Sequence, residues 1–226
     1  MKPDTKQAEA LIAAALKMRA DSGDPTAQLE LGQRYDTGLG VQQDFDEAMA
    51  WYHKASTNGV VEAKYNIGVL YDRGRGVEAN PNEAMKWYLE AAEAGDCWAE
   101  NNIGFLYAQG RGVERDDDEA LRWYRRAAEK GHFSARFNLG ARYAQGNGVE
   151  VDLCVAHMWF SVAQHACTPV EFERAKQAKE ALESEMDATQ LKHAQGLFSA
   201  WADSVQKEAL DKPTRRVPVA PDLDEQ

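Results

Sequence analysis

The chain has 226 residues, of which 44% are hydrophobic, and its mean hydropathy is −0.60. This composition is that of a globular protein and excludes a disordered or membrane-spanning chain. Its 26 basic and 37 acidic residues give a formal net charge of −11, which disfavours nucleic acid and anionic membranes as partners. A basic partner is compatible with this charge, although an acidic surface is also an ordinary way to stay in solution.

Two features of the sequence bear on the cellular compartment of the protein. The apolar run from Leu11 to Leu16 is too short to span a membrane, and the charges around it differ from those of a secretory leader. The three cysteines (Cys97, Cys154 and Cys167) are odd in number and irregularly spaced, which favours a reducing compartment. We expect a cytoplasmic protein, or a periplasmic one if a leader is missing from the sequence.

The segment 4–22 predicts a helix. It has the apolar register of the second helix of the repeats described next, and we expect it to cover the first edge of their array.

A period of 36 residues organises most of the chain. Four similar copies follow one another at about 24–59, 60–95, 96–131 and 132–167. Each copy reads as two helices joined by a connector of the form Gly-x-Gly-Val. A fixed period of this kind predicts an array in which each unit packs only on its neighbours.

The first helix of every copy carries a glycine in its middle, at positions 32, 68, 104 and 140. A glycine there costs about 1 kcal/mol relative to alanine. Its recurrence at one register therefore predicts a close approach of two helix backbones. The connector glycines permit positive φ at two positions, which predicts a tight turn between the two helices.

The second helices begin at a residue suited to cap a helix. These residues are Asp44, Asn80, Asp116 and Asp152. In the first three copies a glutamate follows three positions later (Glu47, Glu83 and Glu119), which predicts a capping box. Small and aromatic residues alternate along the apolar face of these helices, so neighbouring helices can interlock.

The last part of the chain departs from the repeat. Two further helices are predicted at about 169–184 and 188–210, and we expect them to cover the apolar face of the last repeat. Residues 211–226 contain three prolines and no periodicity, which predicts a disordered tail. The chain is thus interpreted as one domain, 1–210, followed by a tail.

The recurring pattern A-x3-[LI]-G-x2-Y-x2-G-x-G-V-x2-[DN]-x3-A-x2-W-[YF]-x2-A resembles the Sel-1-like repeat family, a relative of the tetratricopeptide repeat, over residues 24–167. The resemblance implies an all-α, right-handed α-solenoid that serves as a scaffold or adaptor in bacterial signalling, envelope or secretion pathways. The segment MDATQLKHAQGLFSAW is also similar to a helix that often closes bacterial members. A secreted branch of the family has been linked to β-lactam hydrolysis, but it carries paired cysteines in each repeat and this chain does not.

One stripe of the first helices is left over once the core positions are assigned, with the spacing i, i+3, i+4, i+7. In a stacked solenoid we expect these stripes to line the concave face. The candidate partner-binding residues are Gln33, Arg34, Asn66, Val69, Arg73, Asn102, Phe105, Leu106, Gln109, Asn138 and Arg142. The asparagines could hold the backbone of an extended peptide, or they could satisfy neighbouring helices. Phe105 could offer an apolar pocket or pack under a helix, and the arginines could pair with acidic groups or be solvated.

Catalytic and metal-binding patterns are weak. Cys154 and His157 lie three residues apart and could supply half a zinc site, but no second close pair accompanies them. The connectors lack the strand that precedes a nucleotide-binding glycine motif. We expect no catalytic residues, no metal and no cofactor.

The leading hypothesis is a non-catalytic scaffold that binds a protein or peptide, without nucleic acid or membrane insertion. The alternatives are a β-lactam-hydrolysing enzyme and a structural protein that self-associates through the open ends of the solenoid or through its C-terminal helices.

Overall fold

The computed structural model describes residues 5–165 and 167–211, and this part of the chain forms eleven α-helices and no β-strand. Residues 212–226, most of the predicted tail, lie outside it. The helices are α1 (Thr5–Asp21), α2 (Pro25–Thr37), α3 (Phe45–Thr57), α4 (Val61–Arg73), α5 (Pro81–Glu93), α6 (Cys97–Gln109), α7 (Asp117–Glu129), α8 (Phe133–Gln145), α9 (Leu153–Ala163), α10 (Pro169–Glu183) and α11 (Ala188–Asp211).

The helices pack as pairs, and the pairs stack in chain order. The pairs α2/α3, α4/α5, α6/α7 and α8/α9 are the four repeats, and α3, α5 and α7 each also pack on the first helix of the next repeat. At the ends, α1 packs on α2, while α10 and α11 both pack on α9. The prediction of an all-α solenoid with terminal helices is confirmed.

The predicted helix starts are confirmed, but the capping boxes differ. The side chains of Asp44, Asn80, Asp116 and Asp152 each accept a hydrogen bond from a backbone N–H in the first turn of their helix. The glutamates, however, bond forward along the helix: Glu47 accepts from the Trp51 indole at 3.1 Å and Glu119 from Arg122 at 2.6 Å. A longer side chain one turn ahead offers these carboxylates a donor, so they do not return to the cap.

The glycine in the middle of each first helix lies against an aromatic ring. A Cβ atom placed on Gly68 would lie 2.6 Å from Cε1 of Tyr88, and one on Gly140 would lie 2.7 Å from Cε1 of Phe160. Tight packing at this register is therefore confirmed, but the atoms nearest to each glycine belong to a ring on the second helix of the same repeat, and not to the helix backbone as predicted.

Both ends of the array are covered by helices outside the repeats. Leu16 of α1 packs with Leu31 and Trp51 of the first repeat. At the other end, Leu182 and Met186 pack against Phe160. The outer side of α1 stays open, with Leu11, Ile12 and Met18 exposed.

Glu100 is the fully buried carboxylate of the third repeat. Its Oε1 atom accepts hydrogen bonds from Arg126 Nε and Lys130 Nζ, both at 3.0 Å. In the second repeat the same register holds the reversed pair, Lys64 with Glu90, at 2.9 Å. Each of these ion pairs ties the first helix of a repeat to the second helix of the same repeat.

Candidate partner-binding surface

The predicted stripes lie side by side on neighbouring first helices. Gln33 Nε2 on α2 donates to Glu62 Oε1 on α4 at 2.8 Å, and Asn138 Nδ2 on α8 donates to Asn101 Oδ1 on α6 at 3.3 Å. These contacts join the first repeat to the second, and the third to the fourth, along the face that carries the stripes. We call this face the stripe surface, and it comprises Gln33, Asn66, Val69, Arg73, Asn102, Phe105, Gln109 and Asn138.

Three predicted residues are not accessible on this surface. Leu106 is 1% exposed and belongs to the core. Arg34 and Arg142 are also buried. Arg34 donates to Glu9 Oε2 at 2.9 Å and Arg142 donates to Asp117 Oδ1 at 2.9 Å. The expectation that these three side chains face a partner is corrected.

These side chains are buried because the start of the preceding second helix covers their register on the first helix. The partners of Arg34 and Arg142 lie 25 residues earlier in the chain, at equivalent positions. Where this earlier position holds an acidic residue, that residue pairs with an arginine. In the second repeat both positions are apolar, and Leu70 packs in the cluster that includes Phe45. The hydrogen bond from Arg142 holds the pKa of Asp117 below its usual range, against the effect of burial.

Asn66, Asn102 and Asn138 occupy one register of the first helices, and the side chains of this amide row differ in their hydrogen bonds. Asn102 Oδ1 accepts from Asn101 Nδ2 at 3.3 Å, and Asn138 bonds to the same Asn101. The buried Nδ2 atom of Asn66 has no hydrogen-bond partner within residues 5–165 and 167–211. Asn138 is thus bonded to a neighbouring helix and Asn102 to its own helix, whereas the buried donor of Asn66 is unused.

The remaining predicted residues present both apolar and polar groups. Phe105 is 42% exposed, so it is not packed under a neighbouring helix, whereas Val69 is partly buried against the core. Arg73 and Gln109 are exposed at the ends of α4 and α6. The surface therefore offers an aromatic side chain with polar groups around it.

Trp98 is a residue that the sequence analysis missed. It lies one turn before Asn102 on α6 and is 56% exposed. Together with Glu62, Tyr65 and Asp96 it lines an open cleft of about 520 Å³. The sequence does contain a signal, because the equivalent positions hold threonine, glutamate and serine, and a single tryptophan among them is conspicuous.

Two tyrosines lie beneath this part of the surface. Burial raises the pKa of Tyr88, and the charge of Asp72 raises it further. Burial also raises the pKa of Tyr65. Both hydroxyls therefore stay protonated near neutral pH. The hydroxyl of Tyr88 has no hydrogen-bond partner in the part of the chain that the structure describes.

Cys154 and His157, the candidate half-site for zinc, contact different groups. Cys154 Sγ lies 3.5 Å from the carbonyl of Gln190, and His157 Nε2 lies 2.9 Å from Glu183 Oε1. Among the described residues, no group of three or more His, Cys, Asp or Glu side chains is arranged to hold a metal ion. The same residues include no helix long and apolar enough to cross a lipid bilayer.

The model of the Sel1 repeat matches the chain four times, over residues 25–60, 61–96, 99–132 and 134–163. The chain belongs to the Sel1 repeat family. The four matched ranges coincide with the four helix pairs. Sel1 repeats generally form non-catalytic modules for protein–protein interaction.

Solved structures with the same fold come from bacteria. A Sel1 repeat protein from Oxalobacter formigenes is 32% identical over 92% of this chain and 81% of its own, with a TM-score of 0.69. An immunity protein from Pseudomonas aeruginosa is 20% identical over 85% of this chain and 77% of its own, with a TM-score of 0.50, and it shares the fold alone. No curated protein matches the sequence significantly.

Proposed function

We propose that this Sel1 repeat chain is a non-catalytic scaffold that binds an extended segment of a protein partner along the stripe surface, which we take to be the concave face. One observation carries the proposal: Trp98 and Phe105 are both exposed on α6, on the same face as the amide row. Exposed aromatic side chains flanked by polar groups are the usual anchors of protein interfaces.

The dimensions of the surface suit a short extended segment. Trp98 and Phe105 are seven residues apart on one helix, which corresponds to about 10 Å along its axis. An extended peptide covers this distance with about three residues. The amide of Asn102 lies one turn from each of them on the same helix and offers polar groups to a peptide backbone.

The test selects peptides on the wild-type chain from a displayed library of random sequences. Their affinities are then measured by fluorescence anisotropy for the wild type and for the triple variant Asn66→Ala/Asn102→Ala/Phe105→Ala. Loss of an anchor and its polar neighbours should weaken binding about 10-fold or more. The matched control is Val170→Ala, since Val170 is an exposed apolar residue on α10. Peptides that bind the triple variant as tightly as the wild type would contradict the proposal.

A second candidate function is self-association through the N-terminal helix. Its outer side exposes Leu11, Ile12 and Met18, and apolar patches of this kind are often contact surfaces. We expect Ile12→Glu to shift the chain toward monomers in light scattering over a range of concentrations. Val170→Glu should not do so, and a wild type that stays monomeric throughout would exclude this function.

A further inference from the structure

The cleft beside Trp98 has two aromatic walls. The ring centroids of Tyr65 and Trp98 lie 6.5 Å apart with an angle of 52° between the rings. On its other side the indole meets His132 edge-on, at 4.4 Å between centroids. Trp98 is therefore more than half exposed and yet held between two rings, so little side-chain entropy is lost when a ligand lies against it.

The cleft also has two carboxylates, and both are positioned by neutral donors. Glu62 accepts from the amide of Gln33 at 2.8 Å. Asp96 caps α6 and accepts from the backbone N–H of Ala99 at 2.7 Å. Neither carboxylate forms an ion pair within the described residues. Lys130, which bonds to the carbonyl of Gly95 next to Asp96, is itself paired with Glu100.

The remaining groups around the cleft leave this negative charge in place. Burial lowers the pKa of His132 to about 4, so the imidazole is neutral near pH 7. Arg73, whose charge acts on Tyr65, is exposed and lies two turns further along α4. The chain as a whole carries a net charge of −11, which adds to the attraction for a cation.

We propose that this cleft binds the lysine or arginine side chain of a basic segment in the partner. The side chain enters between Tyr65 and Trp98, and its charged end reaches Glu62 and Asp96. A cation gains attraction from the faces of aromatic rings as well as from carboxylates, and an arginine additionally stacks on an indole. An acidic side chain would meet two like charges, and an apolar one would leave both carboxylates without compensation. This inference rests on the proposed scaffold function, whose partner it specifies.

The test uses the full chain labelled with ¹⁵N and follows the indole N–H signal of Trp98, assigned by its loss in Trp98→Phe. The probes are N-acetyl-arginine methylamide and its citrulline analogue, which has the same shape and no charge. We expect a saturable shift with the arginine probe, and affinity for citrulline that is lower by about fivefold or more. Equal shifts with both probes would overturn the proposal.

Two charge variants separate the cleft from the overall charge. Glu62→Gln/Asp96→Asn removes both carboxylates, and asparagine is still able to cap α6. Glu180→Gln/Glu185→Gln removes two exposed charges elsewhere. Arginine binding should be lost in the first variant and kept in the second. Binding that survives the first, or that falls equally in both, would refute the assignment of the cleft.

The outcomes also distinguish this inference from the scaffold proposal. Selected peptides that require Phe105 but carry no basic residue, and bind Glu62→Gln/Asp96→Asn normally, would leave the scaffold proposal standing and overturn the basic-side-chain site. An arginine probe that binds the cleft, when no selected peptide depends on the stripe surface, would support the site and overturn the scaffold.

Discussion

Gly68→Ala tests the packing that defines each repeat. In an open helix this change stabilises by about 1 kcal/mol. Here the new Cβ atom would lie 2.6 Å from Cε1 and 2.7 Å from Cδ1 of Tyr88, whereas carbon atoms prefer separations of about 3.5–4.0 Å. Tyr88 is fully buried, so its ring has no free space to enter. Overpacking of this kind costs about 3 kcal/mol at its upper end, and we expect a net loss of about 2 kcal/mol.

Gly196→Ala is the matched control for this prediction. Gly196 lies inside α11, and a Cβ atom placed on it would meet no other atom within 4 Å. This variant should gain about 0.5–1 kcal/mol, because only the intrinsic helix preference changes.

Urea unfolding followed by circular dichroism measures the free energy of unfolding of both variants. The whole curve should be compared, since repeat arrays can unfold in steps. Gly68→Ala as stable as the wild type, or more stable, would show that the ring is not tightly packed and would refute the reasoning.

Three further predictions concern buried polar groups. Arg126→Ala/Lys130→Ala leaves the buried Glu100 without a cation and should cost about 3–5 kcal/mol, whereas Glu100→Gln leaves two cations that water reaches and should cost about 1–2 kcal/mol; thermal denaturation giving the reverse order would contradict this. The pKa of His132 lies at about 4, below its ordinary 6.5. Protonation therefore favours the unfolded chain, so stability is fully present above about pH 6.5 and falls toward pH 4 by at most about 3 kcal/mol. His132→Asn, which keeps a capping side chain, should remove this dependence, and identical pH profiles would disprove it. The lowered pKa of Asp117 contributes stability above its unfolded pKa, and this contribution is lost as pH falls through the folded one. Arg142→Met should therefore destabilise at pH 7, and its effect should shrink as the pH falls through the folded pKa of Asp117, as unfolding over a series of pH values will show.

The candidate surface could be predicted only in part. Helical periodicity indicates which side of a helix a residue occupies. It correctly placed Phe105 and Gln109 on an exposed side. It does not state what covers that side. Leu106 and Arg142 share a register that the preceding repeat covers, through contacts between residues about 25 positions apart. That distance is invisible to a pattern within one helix.

Paired charges show the same limit. The pair Lys64–Glu90 and the pair Glu100–Arg126 both join residues 26 positions apart, with the charges reversed. Alignment of the repeats shows a lysine in one copy and a glutamate in the next, which suggests an unimportant surface position. The two repeats share opposite charges at the two contacting positions, and this complementarity is recognised only when the contact itself is known.

The sequence by itself determined the 36-residue period, the two helices of each repeat, their starts and their connecting turns. These features depend on local physical chemistry, namely caps, turn glycines and apolar periodicity, all of which act within a few residues. The tertiary structure decided which polar residues are buried and brought Glu62 and Tyr65 from one repeat to Asp96 and Trp98 at the start of the next. That cleft exists only because two repeats stack, and the stacking is the sum of contacts between residues far apart in the chain.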